Sequence, residues 1–160
     1  NESKAYISGL IHDIGKELSD NEILDFSESF RKRNIVDIKY WDFKITIPFL
    51  LHGVASAEIM VRDLKINDID LLSAAISHTT GGTNLDKLSK FTYIADFCEP
   101  TRKHKEAKII ERLITKKYDF DRAYFMTYRF VLSDLTKRMV KICPESVDGY
   151  NEALSLCLNP

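Results

Sequence analysis

Imidazole and carboxylate side chains stand beside breaks in a helical pattern at several places along the chain. The residues concerned are His12 with its neighbour Asp13, His52, His78 and Asp96. Imidazole and carboxylate ligands together suit iron, manganese or zinc at sites that keep open coordination positions. Rigid helix ends are good places to gather such ligands from distant parts of a chain. The sequence therefore predicts a metal site assembled at the ends of helices.

Each of these features also has a simple structural explanation. A single His beside an apolar run is often a surface or capping residue, and an adjacent His-Asp pair occurs by chance. The Thr-Thr-Gly-Gly run after His78 is typical of a loop that stops a helix. The joint occurrence of these residues in an otherwise helical chain favours the metal site.

The elements that must position these residues are predicted to be helices. Apolar residues recur at spacings of three and four nearly everywhere, with no repeat, low-complexity tract or linker. In the first half of the chain we predict a helix that ends at His12-Asp13, a helix capped by Ser19-Asp20-Asn21 and a helix from Pro48 through Leu64. A helix capped by Asn67-Asp68 and a helix over 85–95 follow. The remaining predicted helices are 105–117, 120–142, which Pro144 ends, and a short C-terminal helix. Residues 34–46 lose the period, which indicates an irregular or short extended segment. Residues 1–160 are thus predicted to form a single all-α domain.

The composition excludes several classes of protein. The chain has 160 residues, of which 44% are hydrophobic and 29% charged, with a formal net charge of −1. A general nucleic-acid binder usually carries a clear basic excess, and no stretch is apolar enough for a membrane span. Three widely spaced cysteines without a Cys-x-x-Cys pair favour reduced thiols and a cytoplasmic location. We expect no nucleic-acid partner and no membrane association.

Four short motifs resemble those of a known family. Residues 9–16 read Gly-Leu-Ile-His-Asp-Ile-Gly-Lys, which is similar to the signature of HD-domain metal-dependent phosphohydrolases. Leu-Leu-His-Gly at 50–53, His-Thr-Thr-Gly at 78–81 and Ala-Asp-Phe-Cys-Glu-Pro-Thr-Arg at 95–102 follow in an order that resembles the YqeK branch. Members of that branch are bacterial symmetrical diadenosine tetraphosphate hydrolases that bind iron. The resemblance implies an HD-domain helical bundle.

The resemblance also implies a set of metal ligands. His12, Asp13 and Asp96 match the family's ligands, with Asp13 placed to bridge if two ions bind. His52 and His78 match histidines that hold a second ion or contact the substrate phosphates. The family implies iron, one or two ions, while manganese and zinc suit the same ligand types.

Further matches concern the substrate. Lys16 would lie near the phosphates, and Thr79 and Arg102 match positions that contact the nucleotide product. The expected catalytic residues are Asp13, Lys16, His52 and His78. The expected substrate-binding residues are Asp13, His52, His78, Thr79, Asp96, Arg102 and Arg138.

The charge distribution fits a polyphosphate ligand, although an exposed, solvated helix face explains it equally well. Residues 101–117 contain seven Lys or Arg and two Glu. Lys103 and Arg102 are the nearest of these in sequence to Asp96. Tyr128 or Phe130 is a candidate to stack on adenine, although aromatic residues at helical spacing usually belong to a core.

One family feature is not found in the sequence. The family has a further histidine ligand on a helix upstream of the His-Asp pair, and the present sequence starts at Asn1. We expect that helix to lie in a preceding segment. The fourth histidine, His104, lies in a charged stretch and is expected to be solvated.

The leading functional hypothesis is metal-dependent, symmetrical hydrolysis of diadenosine tetraphosphate to two ADP by a metal-activated water. A second hypothesis keeps the site and changes the substrate to nucleoside mono- or triphosphates or guanosine alarmones. A third is a nucleotide-sensing module without turnover. The expected partners are the nucleotide substrate and the ADP product, and a homodimer is left open.

Overall fold

The computed structural model describes residues 2–99, 101 and 105–158, and over these ranges the chain is helical without a strand. The helices of the described residues are α1 (Glu2–Ile11), α2 (Asp20–Arg33), α3 (Trp41–Lys44), α4 (His52–Arg62), α5 (Ile69–Ser77), α6 (Lys87–Phe97), α7 (Lys105–Lys117), α8 (Phe120–Lys137) and α9 (Pro144–Leu158). A 3-10 turn, Pro48–Leu51, leads into α4. The predicted all-α class is confirmed.

Short polar side chains start several helices, as the sequence predicts. Ser19 precedes α2 in a capping box: its hydroxyl accepts from the backbone N–H of Glu22, and the Glu22 carboxylate accepts from the backbone N–H of Ser19. Asp68 and Asp86 cap α5 and α6 with carboxylates that accept from backbone N–H groups of the first turn. Each cap satisfies backbone donors that the first helical turn leaves free.

Two predicted segments differ from the structure near the middle of the chain. Residues 34–46 contain the single helical turn α3, which starts after Tyr40 in a left-handed conformation, with φ of 55°. The Tyr40 carbonyl accepts from the N–H groups of Phe43 and Lys44, so the turn closes on itself rather than extending. The helix predicted through Leu64 ends at Arg62, shortly before Lys65 with φ of 57°.

The end of the chain also differs from the prediction. α8 ends at Lys137 rather than residue 142, because Met139 adopts a left-handed conformation with φ of 53°. Pro144 therefore begins α9 instead of terminating α8, in keeping with the preference of proline for a first helical turn. At 15 residues, α9 is not the short helix expected.

Two apolar cores hold the helices together. The first joins α2, α4 and α5 around Phe30, Val54, Leu51 and Leu72, and the second joins α6, α7, α8 and α9 around Ile94, Ile110 and Tyr124. α5 packs against both α4 and α6, which brings the two cores side by side. None of the described helices is long and apolar enough to cross a membrane.

Candidate active site

The predicted ligands lie at or beside the ends of helical segments. His12 directly follows α1, His52 follows the 3-10 turn, His78 follows α5, and Asp96 is in the last turn of α6. The carbonyl groups at C-terminal ends carry a partial negative charge, which favours a nearby cation. The C-terminal ends of α1, α5 and α6 therefore converge in a way that suits a positive ion, whereas His52 is the first residue of α4.

Gly53 allows the helices that carry His52 and His78 to approach each other. A Cβ atom at this position would lie 2.2 Å from the carbonyl oxygen of Ala75 in α5. Only a residue without a side chain permits this contact between backbones. The glycine of the Leu-Leu-His-Gly motif thus sets the distance between the two imidazoles.

Gly15 has a similar role for the loop after α1. A Cβ atom there would lie 2.8 Å from the carbonyl oxygen of His52 and from the N–H of Ser56. The Gly15 N–H instead donates to the Ser56 hydroxyl at 2.9 Å, which in turn donates to the His52 carbonyl. This contact seats the His12-Asp13 loop on the first turn of α4.

All three imidazole rings are oriented by backbone carbonyls. Nδ1 of His52 lies 2.6 Å from the Phe49 carbonyl, and Nδ1 of His78 lies 2.7 Å from the Ala75 carbonyl. Nδ1 of His12 lies 3.1 Å from carbonyls in the last turn of α1. A carbonyl oxygen only accepts, so Nδ1 carries the proton in each ring. The Nε2 lone pair is then left to bind an ion, which is the arrangement of metal-bound histidines.

The Nε2 atoms meet around the carboxylate of Asp13. Nε2 of His52 lies 3.0 Å from Asp13 Oδ1 and 2.9 Å from Nε2 of His78, which is itself 3.4 Å from the same oxygen. Ligand atoms of His12, Asp13 and His78 all lie within 4.8 Å of one another. Nε2 of His12 is also 3.9 Å from Asp96 Oδ1. The structure thus brings together the five residues predicted as ligands.

The protonation of these rings determines what the cluster can bind. With protons on Nδ1, the facing Nε2 and carboxylate atoms present lone pairs to one another. Among the described residues, Nε2 of His12 and Oδ1 of Asp13 are buried without a hydrogen-bond donor. Buried polar atoms are normally paired, because an unpaired one carries a desolvation penalty. A divalent cation fits this donor set of nitrogen and carboxylate ligands.

The charges of the cluster are mutually dependent. Burial alone would raise the pKa of Asp13, but the adjacent imidazoles of His52 and His78, in their protonated form, and the ammonium of Lys16 outweigh it and hold that pKa well below its usual range. Burial lowers the pKa of His78, and repulsion from the other imidazoles adds to this effect. For His12, burial is outweighed by the carboxylates of Asp96 and Asp13, so its pKa is raised.

Lys16 and Thr79 add polar groups beside the ligands. Lys16 Nζ lies 2.5 Å from Asp13 Oδ2, the carboxylate oxygen that faces away from the histidines. Thr79 Oγ1 lies 3.3 Å from the Nε2 atoms of both His52 and His78. An ammonium group and a hydroxyl are donors suited to phosphate oxygens.

These groups border a cavity of about 230 Å³. Its lining residues are Lys16, Phe49, His52, His78, Thr79, Tyr93, Asp96, Phe97 and Val131. Five of these nine were predicted as site residues, and Tyr93 is the polar one of the four that were not. The only local signal is its position one turn before Asp96 on α6, which places both residues on the same helix face.

A second cavity, of about 560 Å³, adjoins the first at Phe97 and Val131. Arg138 lines it and pairs with Asp134 at the surface, 3.1 Å apart. Phe130 also lines it, with its ring stacked on Phe97 at a centroid distance of 6.2 Å. The larger cavity therefore offers aromatic and cationic groups.

The suggestion that Tyr128 stacks on adenine is wrong. Its side chain is fully buried, and its hydroxyl accepts from the Gly82 N–H at 2.8 Å. The Tyr128 side chain packs tightly against the loop after His78: a Cβ atom at Gly81 would lie only 2.0 Å from the Tyr128 hydroxyl. Tyr128 is therefore a core residue, as its helical spacing also allows.

Some predicted residues lie outside the described ranges. These are Arg102, Lys103 and His104. The predicted substrate contact of Arg102 and the solvation of His104 stay predictions. The rest of the basic segment forms α7, whose lysines at 105, 108, 116 and 117 follow on from these positions.

A buried ion pair that the sequence does not predict supports the same loop. Lys44 is buried in the turn α3 and pairs with Glu145 at the start of α9. The Glu145 carboxylate also accepts from the hydroxyl of Thr80 at 2.7 Å. Lys44 and Glu145 are 101 positions apart, so no local pattern could connect them.

Comparison with known proteins agrees with this geometry. A family model described as HD domain matches residues 1–119. The symmetrical bis(5'-nucleosyl)-tetraphosphatase of Halalkalibacterium halodurans is 28% identical over 154 residues, covering 96% of this chain and 77% of the relative. The enzyme of the same name from Staphylococcus aureus is 27% identical, covering 98% of this chain and 73% of the relative.

A solved structure has the same overall arrangement. It is a crystal structure from Clostridium acetobutylicum, described as a predicted HD superfamily hydrolase involved in NAD metabolism. The TM-score is 0.83 at 27% identity, with 97% of this chain and 78% of the other covered. The likeness extends past residue 119 and so includes α8 and α9.

Proposed function

Because this chain belongs to the HD domain family, we propose that it is a metal-dependent hydrolase that cleaves diadenosine tetraphosphate symmetrically into two ADP. The observation that carries the proposal is the set of three imidazoles and two carboxylates gathered beside Lys16 and a cavity. The relatives named symmetrical bis(5'-nucleosyl)-tetraphosphatase supply the substrate class.

The residues present fit a divalent cation. His12, Asp13 and Asp96 would hold a first ion, and His52 and His78 would hold a second or contact phosphate. His78 also stands within ligand distance of His12 and Asp13, so a single ion could use it as well. We propose iron as the metal, with manganese and zinc compatible with the same donors. When bound, such a cation would lower the pKa of its bound water to about 7 and neutralise phosphate charge.

The other side chains would bind and orient the polyphosphate. Lys16 and Thr79 lie beside the ligands and would donate to phosphate oxygens. Arg102, in the motif Glu-Pro-Thr-Arg, is proposed as a further contact to the nucleotide product. The cavity that Phe97, Phe130 and Arg138 line would receive a nucleoside next to the phosphates.

The proposed reaction consumes one water for each dinucleotide. The water oxygen bonds to one of the two inner phosphorus atoms, and the bond from that phosphorus to the central bridging oxygen breaks. One ADP leaves with the bridging oxygen and takes up a proton from the water. Positioning and charge neutralisation supply most of the catalysis in phosphoryl transfer, so few protein acids and bases are required.

Product analysis tests the symmetry of the cleavage. The purified protein with its native metal is incubated with diadenosine tetraphosphate, and the nucleotides are separated by anion-exchange chromatography. We expect ADP alone. AMP together with ATP would rule out symmetrical cleavage, and turnover of nucleoside triphosphates or guanosine alarmones in preference to the dinucleotide would replace the proposed substrate.

A further inference from the structure

Three tyrosines pack together behind the cavity, and their hydroxyl groups differ in whether they are hydrogen-bonded within the protein. The ring of Tyr93 lies 4.7 Å from that of Tyr128 and 6.1 Å from that of Tyr124, measured between centroids. The hydroxyls of Tyr124 and Tyr128 lie 3.1 Å apart, and Tyr128 also bonds the backbone of Gly82. Those two hydroxyls are therefore satisfied within the protein.

The hydroxyl of Tyr93 has no such partner. Tyr93 is 4% exposed, and its Oη atom is buried without a hydrogen bond to any described residue. A buried hydroxyl left unpaired carries a desolvation penalty that destabilises the fold. A core position without a functional demand would be filled better by Phe, which has the same ring and no polar atom.

The position of Tyr93 indicates what kind of group could accept a hydrogen bond from its hydroxyl. Tyr93, Asp96 and Phe97 occupy one face of α6, and all three line the 230 Å³ cavity with Lys16 and Thr79. A tyrosine hydroxyl keeps its proton at neutral pH and so acts as a donor. The remaining polar groups of the cavity are suited to an anion, which supplies acceptors.

We infer that the Tyr93 hydroxyl donates a hydrogen bond to a phosphate oxygen of the bound nucleotide, as a further substrate-binding residue of this site. The inference rests on the proposed function, because the phosphate belongs to the substrate or product. The adjoining rings of Tyr124 and Tyr128 hold the Tyr93 ring in place, so little ordering is needed when the nucleotide binds.

Two single substitutions separate binding from packing. Tyr93→Phe removes the proposed donor and leaves the ring. Tyr124→Phe removes a different hydroxyl of the same aromatic cluster. The Tyr124 hydroxyl bonds the hydroxyl of Tyr128, and Tyr124 does not line the cavity. Steady-state hydrolysis of diadenosine tetraphosphate, calorimetric titration with ADP, bound-metal content and thermal unfolding are measured for both variants and the wild type.

Tyr93→Phe is expected to lower kcat/KM and ADP affinity by about 10- to 100-fold, the usual effect of losing a hydrogen bond to a charged group. Its metal content is unchanged, and its melting temperature is equal to or above that of the wild type. Tyr124→Phe is expected to do the reverse, with a lower melting temperature and kcat/KM within about two-fold of the wild type.

Two results would overturn the inference. One is a Tyr93→Phe variant with wild-type kcat/KM and ADP affinity, which would mean that the hydroxyl contacts no nucleotide. The other is a melting temperature that falls as in Tyr124→Phe, with ADP affinity intact, which would make Tyr93 a structural residue. If the wild type cleaves no dinucleotide tetraphosphate, the proposed function fails, while the ADP titrations still decide the role of Tyr93.

Discussion

Asp13 is the residue at which the charges of the site meet. Its Oδ1 atom faces the imidazoles of His52 and His78, and its Oδ2 atom pairs with Lys16. The same carboxylate therefore contacts two of the proposed metal ligands and pairs with the nearest ammonium group. Its loss should affect both functions together.

Asp13→Asn tests this role with little change in shape. We expect metal affinity to fall by at least about ten-fold, since even changes to groups behind the ligands cost about 10- to 100-fold. Hydrolysis should be lost with the metal. Elemental analysis of protein purified without chelator measures the first effect. Asp63→Asn, which alters an exposed pair with Arg62, is the matched control. Wild-type metal content in Asp13→Asn would remove Asp13 from the ligand set.

Much of the site is predictable at the residue scale because it depends on local signals. His12, His52 and His78 stand where helical patterns start or stop, and the motifs around them carry the necessary glycines. Tyr93 carries no such signal, because the sequence does not distinguish a tyrosine packed in a core from a tyrosine that donates to phosphate. Its proposed role follows from the structure, in which the hydroxyls of the neighbouring Tyr124 and Tyr128 already have hydrogen-bond partners and that of Tyr93 has none among the described residues.

At the scale of elements, the approach of α4 to α5 determines whether two of the imidazoles meet. Gly53 is the point of contact, and Ala75 supplies both the facing carbonyl and the acceptor for the His78 ring. Separation of the two helices would increase the distance between the imidazoles of His52 and His78. It would also disturb the hydrogen bond between the His78 ring and the Ala75 carbonyl. The geometry of the site is thus a consequence of helix packing.

Gly53→Ala should separate these helices. The new Cβ would lie 2.2 Å from the Ala75 carbonyl oxygen, and forcing such a contact costs about 1–3 kcal/mol of unfolding free energy. We also expect lower metal content. Gly9→Ala is the control, because a Cβ there meets nothing within 4 Å and α1 gains helix propensity. Denaturant unfolding and elemental analysis measure both variants. Equal stability and metal content in the two would contradict this account of the packing.

A buried carboxylate joins α2 to α4 on the side away from the tyrosines. Burial would raise the pKa of Glu58, but hydrogen bonds from Arg33 and Ser29 outweigh it and the pKa is lowered. A lowered pKa stabilises the fold above the pKa of the unfolded chain. That contribution is lost as the pH falls through the pKa of the folded state.

Glu58→Gln should therefore reduce stability at pH 7, by about 1–3 kcal/mol for the lost charge-assisted hydrogen bonds. Its effect should shrink as the pH falls below about 4.3, the ordinary pKa of a glutamate. Urea unfolding from pH 3 to 8 measures the difference between the variant and the wild type. A destabilisation that stays constant over this range would show that the carboxylate charge is not responsible.

At the scale of the whole molecule, the last two helices complete a site whose ligands all lie before residue 97. The family match ends at residue 119, yet Val131 lines the inner cavity and Arg138 the outer one. Glu145 and Tyr128 hold the loop after His78 from the same side. The C-terminal part of the chain thus supports the residues that the N-terminal part supplies.

The Lys44–Glu145 pair provides a test of this long-range support. Glu145→Gln leaves the buried ammonium of Lys44 without its counter-ion, and breaking such a pair typically costs about 3–5 kcal/mol. Lys44→Met in the same protein removes the stranded charge and should recover much of the stability. Thermal unfolding of the two single variants and the double variant gives the coupling. Additive losses would contradict a direct interaction.

The whole-molecule arrangement is also where prediction from the sequence fails. Helix existence follows from periodicity, but α8 ends early, at Lys137, because Met139 adopts a left-handed conformation that its residue type does not predict. The position of α9, and therefore the pairing of Glu145 with Lys44, depends on that ending. Contacts between residues about a hundred positions apart require the fold itself.

The central claim is that this cluster is a metal centre that splits diadenosine tetraphosphate between its inner phosphates. Hydrolysis in ¹⁸O-labelled water, with mass spectrometry of the nucleotides before and after chelation, tests it most directly. We expect ADP as the sole product, with a single ¹⁸O in the terminal phosphate of one ADP of each pair. We also expect chelation to stop the reaction until a divalent metal is restored. Labelled AMP or ATP, or ADP formation that persists at full rate in the chelated protein, would contradict it.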